Sequence, residues 1–76
     1  MNFKVGNEYV NSAYIGYFVY LGELWYPDFD FGGTSRIPAF LHYPQDSEFE
    51  PCVIRWSDLY ERESHGFRPR IKVSGI

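Results

Sequence analysis

Residues 14–33 read YIGYFVYLGELWYPDFDFGG, and this stretch decides the fold. Seven of its first sixteen positions are Tyr, Phe or Trp, and Phe31 follows them. Aromatic and β-branched side chains are typical of strands. Along residues 13–21 they alternate between two faces, neither of which is polar. The pattern predicts a strand that is either covered on both sides or aromatic on an exposed side.

Glycines and prolines divide the same stretch. Because Gly16 lies inside the predicted strand, we expect a bulge or a close approach of another backbone there. Residues 21–23 (Leu-Gly-Glu) predict a tight hairpin turn into a next strand at 23–26. Pro27 is expected to end that strand, because proline cannot donate a ladder hydrogen bond.

No interval between the glycines and prolines of the chain holds a long amphipathic pattern at helical spacing. One helical turn is predicted near residues 57–62, where Ser57 can act as the cap and Asp58 suits the N-terminal end. Further strands are predicted at residues 3–5 or 8–10, 37–43 with Pro38 at an edge or entry position, 52–56 and 67–73.

These elements predict an all-β fold of five to six strands. The expected architecture is a small antiparallel, partly open barrel, SH3-like as the first choice and OB-like as the second. With 76 residues, the chain is expected to form a single small β domain over residues 1–76. A core this small depends on aromatic rings, and we expect Phe18, Phe40, Trp56 and Phe67 to supply most of it.

The sequence offers little for catalysis or metal binding. Cys52 is the only cysteine, so it can form no internal disulfide and no thiolate zinc site, and we expect it to be buried and inert. The segment Asp28–Gly33 (DFDFGG) lacks the later ligands of a calcium loop. We therefore expect no enzymatic activity, no metal and no cofactor.

Charge is distributed unevenly along the chain. Residues 1–50 carry two basic and seven acidic side chains, whereas residues 51–76 carry five basic and three acidic ones. Arg68, Arg70 and Lys72 alternate and therefore share one face of the last predicted strand. Together with the aromatics they suggest a binder of single-stranded nucleic acid, although a net charge of −3 and a pI near 5.2 weigh against it.

Protein binding fits the same residues better, since interface cores are rich in Tyr, Trp and Arg. We expect a regulator or inhibitor that docks an aromatic surface with an acidic rim on a protein partner. Small proteins of this kind are often encoded by phages and mobile elements. The expected partner-binding residues are Tyr14, Tyr17, Tyr20, Trp25, Tyr26, Asp28 and Asp30.

Three further expectations concern where the protein works and what it binds. The N-terminal residues lack a signal-peptide pattern and no apolar run is long enough to span a membrane, so we expect a cytoplasmic protein without a membrane partner. A lone cysteine agrees with a reducing compartment. Self-association through the aromatic face or the last edge strand is a third hypothesis, in which a homodimer compensates for the small core.

Overall fold

The computed structural model describes residues 3–28, 30, 32–45 and 48–71. Lys72, the third member of the predicted basic stripe, lies outside the described residues, as does the end of the last predicted strand.

The described chain forms one five-stranded antiparallel sheet in the order β4-β3-β2-β1-β5. A 3-10 turn, Trp56–Asp58, and a short helix α1, Glu61–Ser64, lie between the fourth and fifth strands. The last strand thus returns beside the first after a four-strand meander, which confirms the all-β, partly open barrel. The strands are β1 Glu8–Asn11, β2 Tyr17–Asp28, β3 Gly33–Tyr43, β4 Cys52–Arg55 and β5 Phe67–Pro69.

Aromatic rings form the core, as predicted. Phe18 and Phe40 are fully buried and Phe67 is 1% exposed, and they pack with the buried ring of Tyr9. Trp56 is half-buried and lies against this cluster. Other partly buried residues that pack on it are Phe3, Tyr14, Tyr20, Ile54 and Leu59.

The predicted hairpin turn at residues 21–23 is wrong, and so is the predicted strand start at residue 13. β2 begins at Tyr17 and continues through Gly22 to Asp28. The register against β3 shifts between Tyr20 and Gly22, and Gly22 has a φ of 87°. A bulge accommodates one extra residue and a left-handed glycine without reversing the chain, so the glycine bends a long strand instead of ending it.

Both prolines lie inside strands and do not limit them. Pro27 pairs with Thr34, and Pro38 pairs with Glu23. Because proline has no N–H, its nitrogen must point away from the paired strand, toward an unpaired edge. That condition is met here, since β1 pairs with β2 only at residues 18–19 and β4 pairs with β3 only at residues 39–42.

Beyond these pairings the β2–β3 ribbon projects from the sheet as a two-stranded arm. We use the name arm for residues 23–28 and 33–38 with the turn between them. The molecule measures 53 × 29 × 23 Å, and its radius of gyration is 13.8 Å. A compact chain of this length would have a radius of about 11 Å. The excess reflects the arm.

Candidate functional site

Two of the predicted partner-binding tyrosines lie at the rim of the core. The Tyr14 ring meets Phe18 edge-on with centroids 5.5 Å apart, and the Tyr20 ring lies 5.1 Å from Phe40. Burial raises the pKa of both phenols above the usual value, and for Tyr14 a hydrogen bond to Glu63 adds to this effect. Both rings therefore help to hold the barrel together.

Trp25 lies on the arm and is 67% exposed. It pairs with Arg36 across the ribbon, two positions from each of the proline pairs. Because proline has no N–H, the proline pairs are non-hydrogen-bonded, and so is the Trp25–Arg36 pair. Facing side chains come closest in pairs of this kind. The Arg36 guanidinium lies 5.6 Å from the centre of the indole, and its Nε lies 3.3 Å from Glu23. We call Glu23, Trp25 and Arg36 the Trp25 face.

The tip of the arm is acidic. Asp28 accepts a hydrogen bond of 2.7 Å from the Ser35 hydroxyl and one of 3.2 Å from the Asp30 backbone N–H. The Gly32 N–H closes the turn on the Asp28 carbonyl at 2.9 Å. The two predicted rim acids therefore lie together at the end of the arm, with Asp30 exposed.

The opposite side of the arm continues into the outer face of the sheet. Residues that pair across two strands lie on the same face of the sheet, and successive residues of one strand lie on opposite faces. The register therefore identifies the side chains on the face that points away from the core. We call this surface the outer face. Its apolar members are Val10, Val19, Leu24, Ile37, Leu41 and Val53.

Tyr17 and Tyr26, two more predicted contact residues, lie on the outer face. The Tyr17 ring stacks on Tyr43, with centroids 4.9 Å apart and an angle of 10° between the planes. Tyr26 lies on the arm, where the Arg55 guanidinium sits 5.1 Å from its ring centre. No local sequence pattern indicates this last contact, because the two residues are on strands separated by β3.

The structure places Arg70, one member of the predicted basic stripe, against Tyr17. The Arg70 guanidinium lies 3.9 Å from the centre of the Tyr17 ring, and its Nη1 lies 2.8 Å from the Glu8 carboxylate. Arg68 is exposed and pairs with Val10 in the register of β1 and β5. The two arginines therefore form a basic corner of the outer face, at the end of the sheet away from the arm.

The sequence prediction for Cys52 is wrong. Cys52 is exposed, not buried as predicted, because it opens the edge strand β4. His42 is half-buried at the core rim: its ring stacks on Phe18 at 4.4 Å, and its Nε2 lies 2.9 Å from the Ile15 carbonyl oxygen.

Among residues 3–28, 30, 32–45 and 48–71, no group of three or more His, Cys, Asp or Glu side chains could hold a metal ion. No helix in the same part of the chain is long and apolar enough to cross a membrane.

The predicted contact residues fall into three places: the core rim, the arm and the outer face. No protein-family model, curated protein or solved structure matches this chain.

Proposed function

We propose that this protein is a non-enzymatic binding module, a regulator or inhibitor that docks the Trp25 face of its arm on a protein partner. The exposure of Trp25 carries the proposal. An indole that is 67% exposed leaves on the order of 130 Å² of apolar surface in water, and burying it would contribute about 3 kcal/mol. Trp and Arg are the residues most often found at energetic centres of interfaces, and here they lie side by side.

The arm holds this face in a fixed orientation. Trp25 and Arg36 are on paired strands, and the ion pair with Glu23 restrains the guanidinium over the indole. A side chain that is ordered before binding loses less conformational entropy on docking.

The two prolines favour docking by side chains over docking by strand addition. Pro27 removes an outward N–H from one edge of the arm, and Pro38 removes one from the other. A partner strand would find a donor missing on either edge. The Trp25 face has no such obstacle.

The arm also indicates the character of the partner. Asp28 and Asp30 place negative charge at the tip, a few residues along the ribbon from Trp25. The complementary surface is an apolar pocket for the indole with basic side chains beside it. A cytoplasmic partner, and an origin in a phage or mobile element, belong to the same proposal.

A comparative pull-down tests this function. Tagged wild-type protein, Trp25→Ala and Phe49→Ala are each used to capture partners from nuclease-treated lysate, with mass spectrometry as the readout. Phe49 is the matched control because it is an aromatic residue, 64% exposed, outside the arm. We expect a protein that the wild type and Phe49→Ala retain and Trp25→Ala loses. Equal recovery with all three proteins would contradict the role of Trp25.

A second candidate function, binding of single-stranded nucleic acid, is supported by the position of Arg70 on the Tyr17 ring. Aromatic rings beside guanidinium groups provide stacking and phosphate contacts for such strands. Glu8 offsets part of this charge, since it is ion-paired with Arg70. The test is fluorescence anisotropy with labelled oligonucleotides: this function requires affinity that falls steeply with salt and drops in Arg68→Ala but not in Trp25→Ala. Absence of binding at low salt would exclude it.

A further inference from the structure

The outer face carries two groups of apolar side chains, on either side of the row formed by Gly22, the buried Ala39 and Arg55. Antiparallel sheets with one solvated side usually alternate apolar and polar residues. Here Val19, Leu41 and Val53 lie across three neighbouring strands of the outer face, and Leu24 and Ile37 pair farther along the arm. Val53 is 49% exposed. Apolar side chains that remain partly exposed on the solvent side of a sheet mark an interaction site.

The size of the outer face matches one side of a standard interface. At ~3.3 Å per residue and ~4.8 Å between strands, the five-stranded base and the arm together have roughly 540 Å² of sheet surface, measured along its curve. Side-chain relief raises the accessible area toward the ~800 Å² that each partner of a stable complex contributes. The arm is essential to this area, because it nearly doubles the length of the face.

Charges at the two ends of the outer face have opposite signs. Asp28 and Asp30 lie at the tip of the arm, while Arg68 and Arg70 lie beside β1 at the level of residues 17–19 of β2. Glu8 is ion-paired with Arg70, so Arg68 supplies most of the positive charge there. In a twofold pair whose arms run antiparallel, each acidic tip would lie near the basic corner of the other copy. The twofold axis makes the two contacts identical.

We propose that the outer face binds a second copy of this chain, giving a homodimer in which the arm of each copy packs across the base of the other. The apolar side chains of Leu24 and Ile37 then cover the region around Val19 and Leu41 in the other copy. The Trp25 face is on the opposite side of the arm, so it stays exposed in the dimer. The dimer is bivalent, with two separated Trp25 faces, whatever those faces bind.

Sedimentation equilibrium with a matched pair of lysine variants tests the interface. Val53→Lys places a charge on the outer face, whereas Thr34→Lys places the same charge on the exposed opposite side of the sheet. We expect wild type and Thr34→Lys to be dimers and Val53→Lys to be a monomer with an unchanged circular dichroism spectrum. A wild type that stays monomeric over about a hundredfold range of concentration overturns the proposal, as does a Val53→Lys dimer.

A charge exchange tests the antiparallel arrangement separately. Neither the Asp30 nor the Arg68 side chain takes part in any ion pair between described residues. Asp30→Arg and Arg68→Asp should each raise the dimer dissociation constant about tenfold, and the double variant should return it to within about threefold of the wild-type value. If the single variants were weak because they had lost their fold, the double variant would not regain the wild-type dissociation constant. A double variant as weak as the singles would overturn this arrangement.

Discussion

The rings of Phe40 and Phe67 are stacked, with centroids 4.5 Å apart and an angle of 8° between their planes. Phe40 is on β3 and Phe67 on β5, and these strands are separated by β2 and β1 in the sheet. The sheet must therefore curl until rings from non-adjacent strands meet. Ring packing across the interior holds the partly open barrel in shape.

Phe67→Ala should remove this contact and leave a cavity. A substitution of this kind costs about 3–5 kcal/mol, and a chain of this length has a net stability of roughly 4–11 kcal/mol. We expect the variant to lose a large share of its stability. Phe67→Leu keeps most of the volume and should remain folded with a smaller loss. Urea denaturation measures both, and a loss below about 1 kcal/mol for Phe67→Ala would contradict the role of the stack.

The sequence predicted the fold class well and the strand lengths poorly. Frequent Gly and Pro with aromatic runs between them excluded long helices, and that reasoning needs no tertiary information. The arm was missed because Gly22, Pro27 and Pro38 resemble turn and end signals. Whether Gly22 forms a turn or a bulge depends on how far β3 continues beside it, and a local pattern does not contain that information.

The contact residues were predictable by type but not by place. A buried core of Phe18, Phe40 and Phe67 follows from ring chemistry, but the exposure of Trp25 does not, because Trp56 has the same ring and packs on the core. The tyrosines could not be divided in this way, since a phenol fits a core rim as well as a surface. Tyr14 and Tyr17 differ by three residues, yet one packs on the core and the other stacks on the outer face.

Gly16 should tolerate no side chain. Its φ is 95°, and a Cβ placed there would collide with the Tyr43 carbonyl oxygen. Gly32 is a matched control, because its φ of 69° is also left-handed but, among the described residues other than its chain neighbours, no atom lies within 4 Å of the position that an alanine methyl group would take. We expect Gly32→Ala to cost about 1 kcal/mol from backbone strain alone, and Gly16→Ala to cost clearly more. Thermal denaturation of the two variants gives the comparison, and equal losses would mean that the contact with Tyr43 relaxes freely.

Low pH should weaken the interaction between Arg55, at the end of β4, and Asp58 in the 3-10 turn. Hydrogen bonds from Arg55, led by its side chain, hold the pKa of Asp58 below the ordinary value of 3.8. A carboxyl whose pKa is lower in the folded state stabilises the fold above its unfolded pKa, and the contribution disappears as the pH falls through the folded value.

Asp58→Asn should therefore lower the melting temperature modestly at pH 7, because the pair is partly exposed to solvent. The difference from wild type should shrink as the pH falls below about 3.8. Glu50→Gln, which alters an exposed acid outside the arm and away from Arg55, serves as the control. A difference that stays constant with pH would show that the charge of Asp58 contributes nothing.

The side chain of Asn11 joins the turn after β1 to helix α1. It is 3% exposed, its Nδ2 donates to the Glu63 carbonyl at 2.8 Å, and its Oδ1 accepts from the Ala13 N–H at 2.9 Å. Asn11→Ala removes both hydrogen bonds and should destabilise the fold by about 2–4 kcal/mol. Asn7→Ala is the control, because that side chain is exposed.

Asn11→Asp distinguishes the two hydrogen bonds of this side chain. The carboxylate keeps the acceptor for Ala13 but cannot donate to Glu63, and it places a negative charge against that carbonyl oxygen. At pH 7 the variant should therefore be less stable than wild type. Protonation restores a donor, so the variant should recover part of the difference as the pH is lowered toward about 4. Denaturation at both pH values measures this, and a loss that does not change with pH would mean that the donor to Glu63 is dispensable.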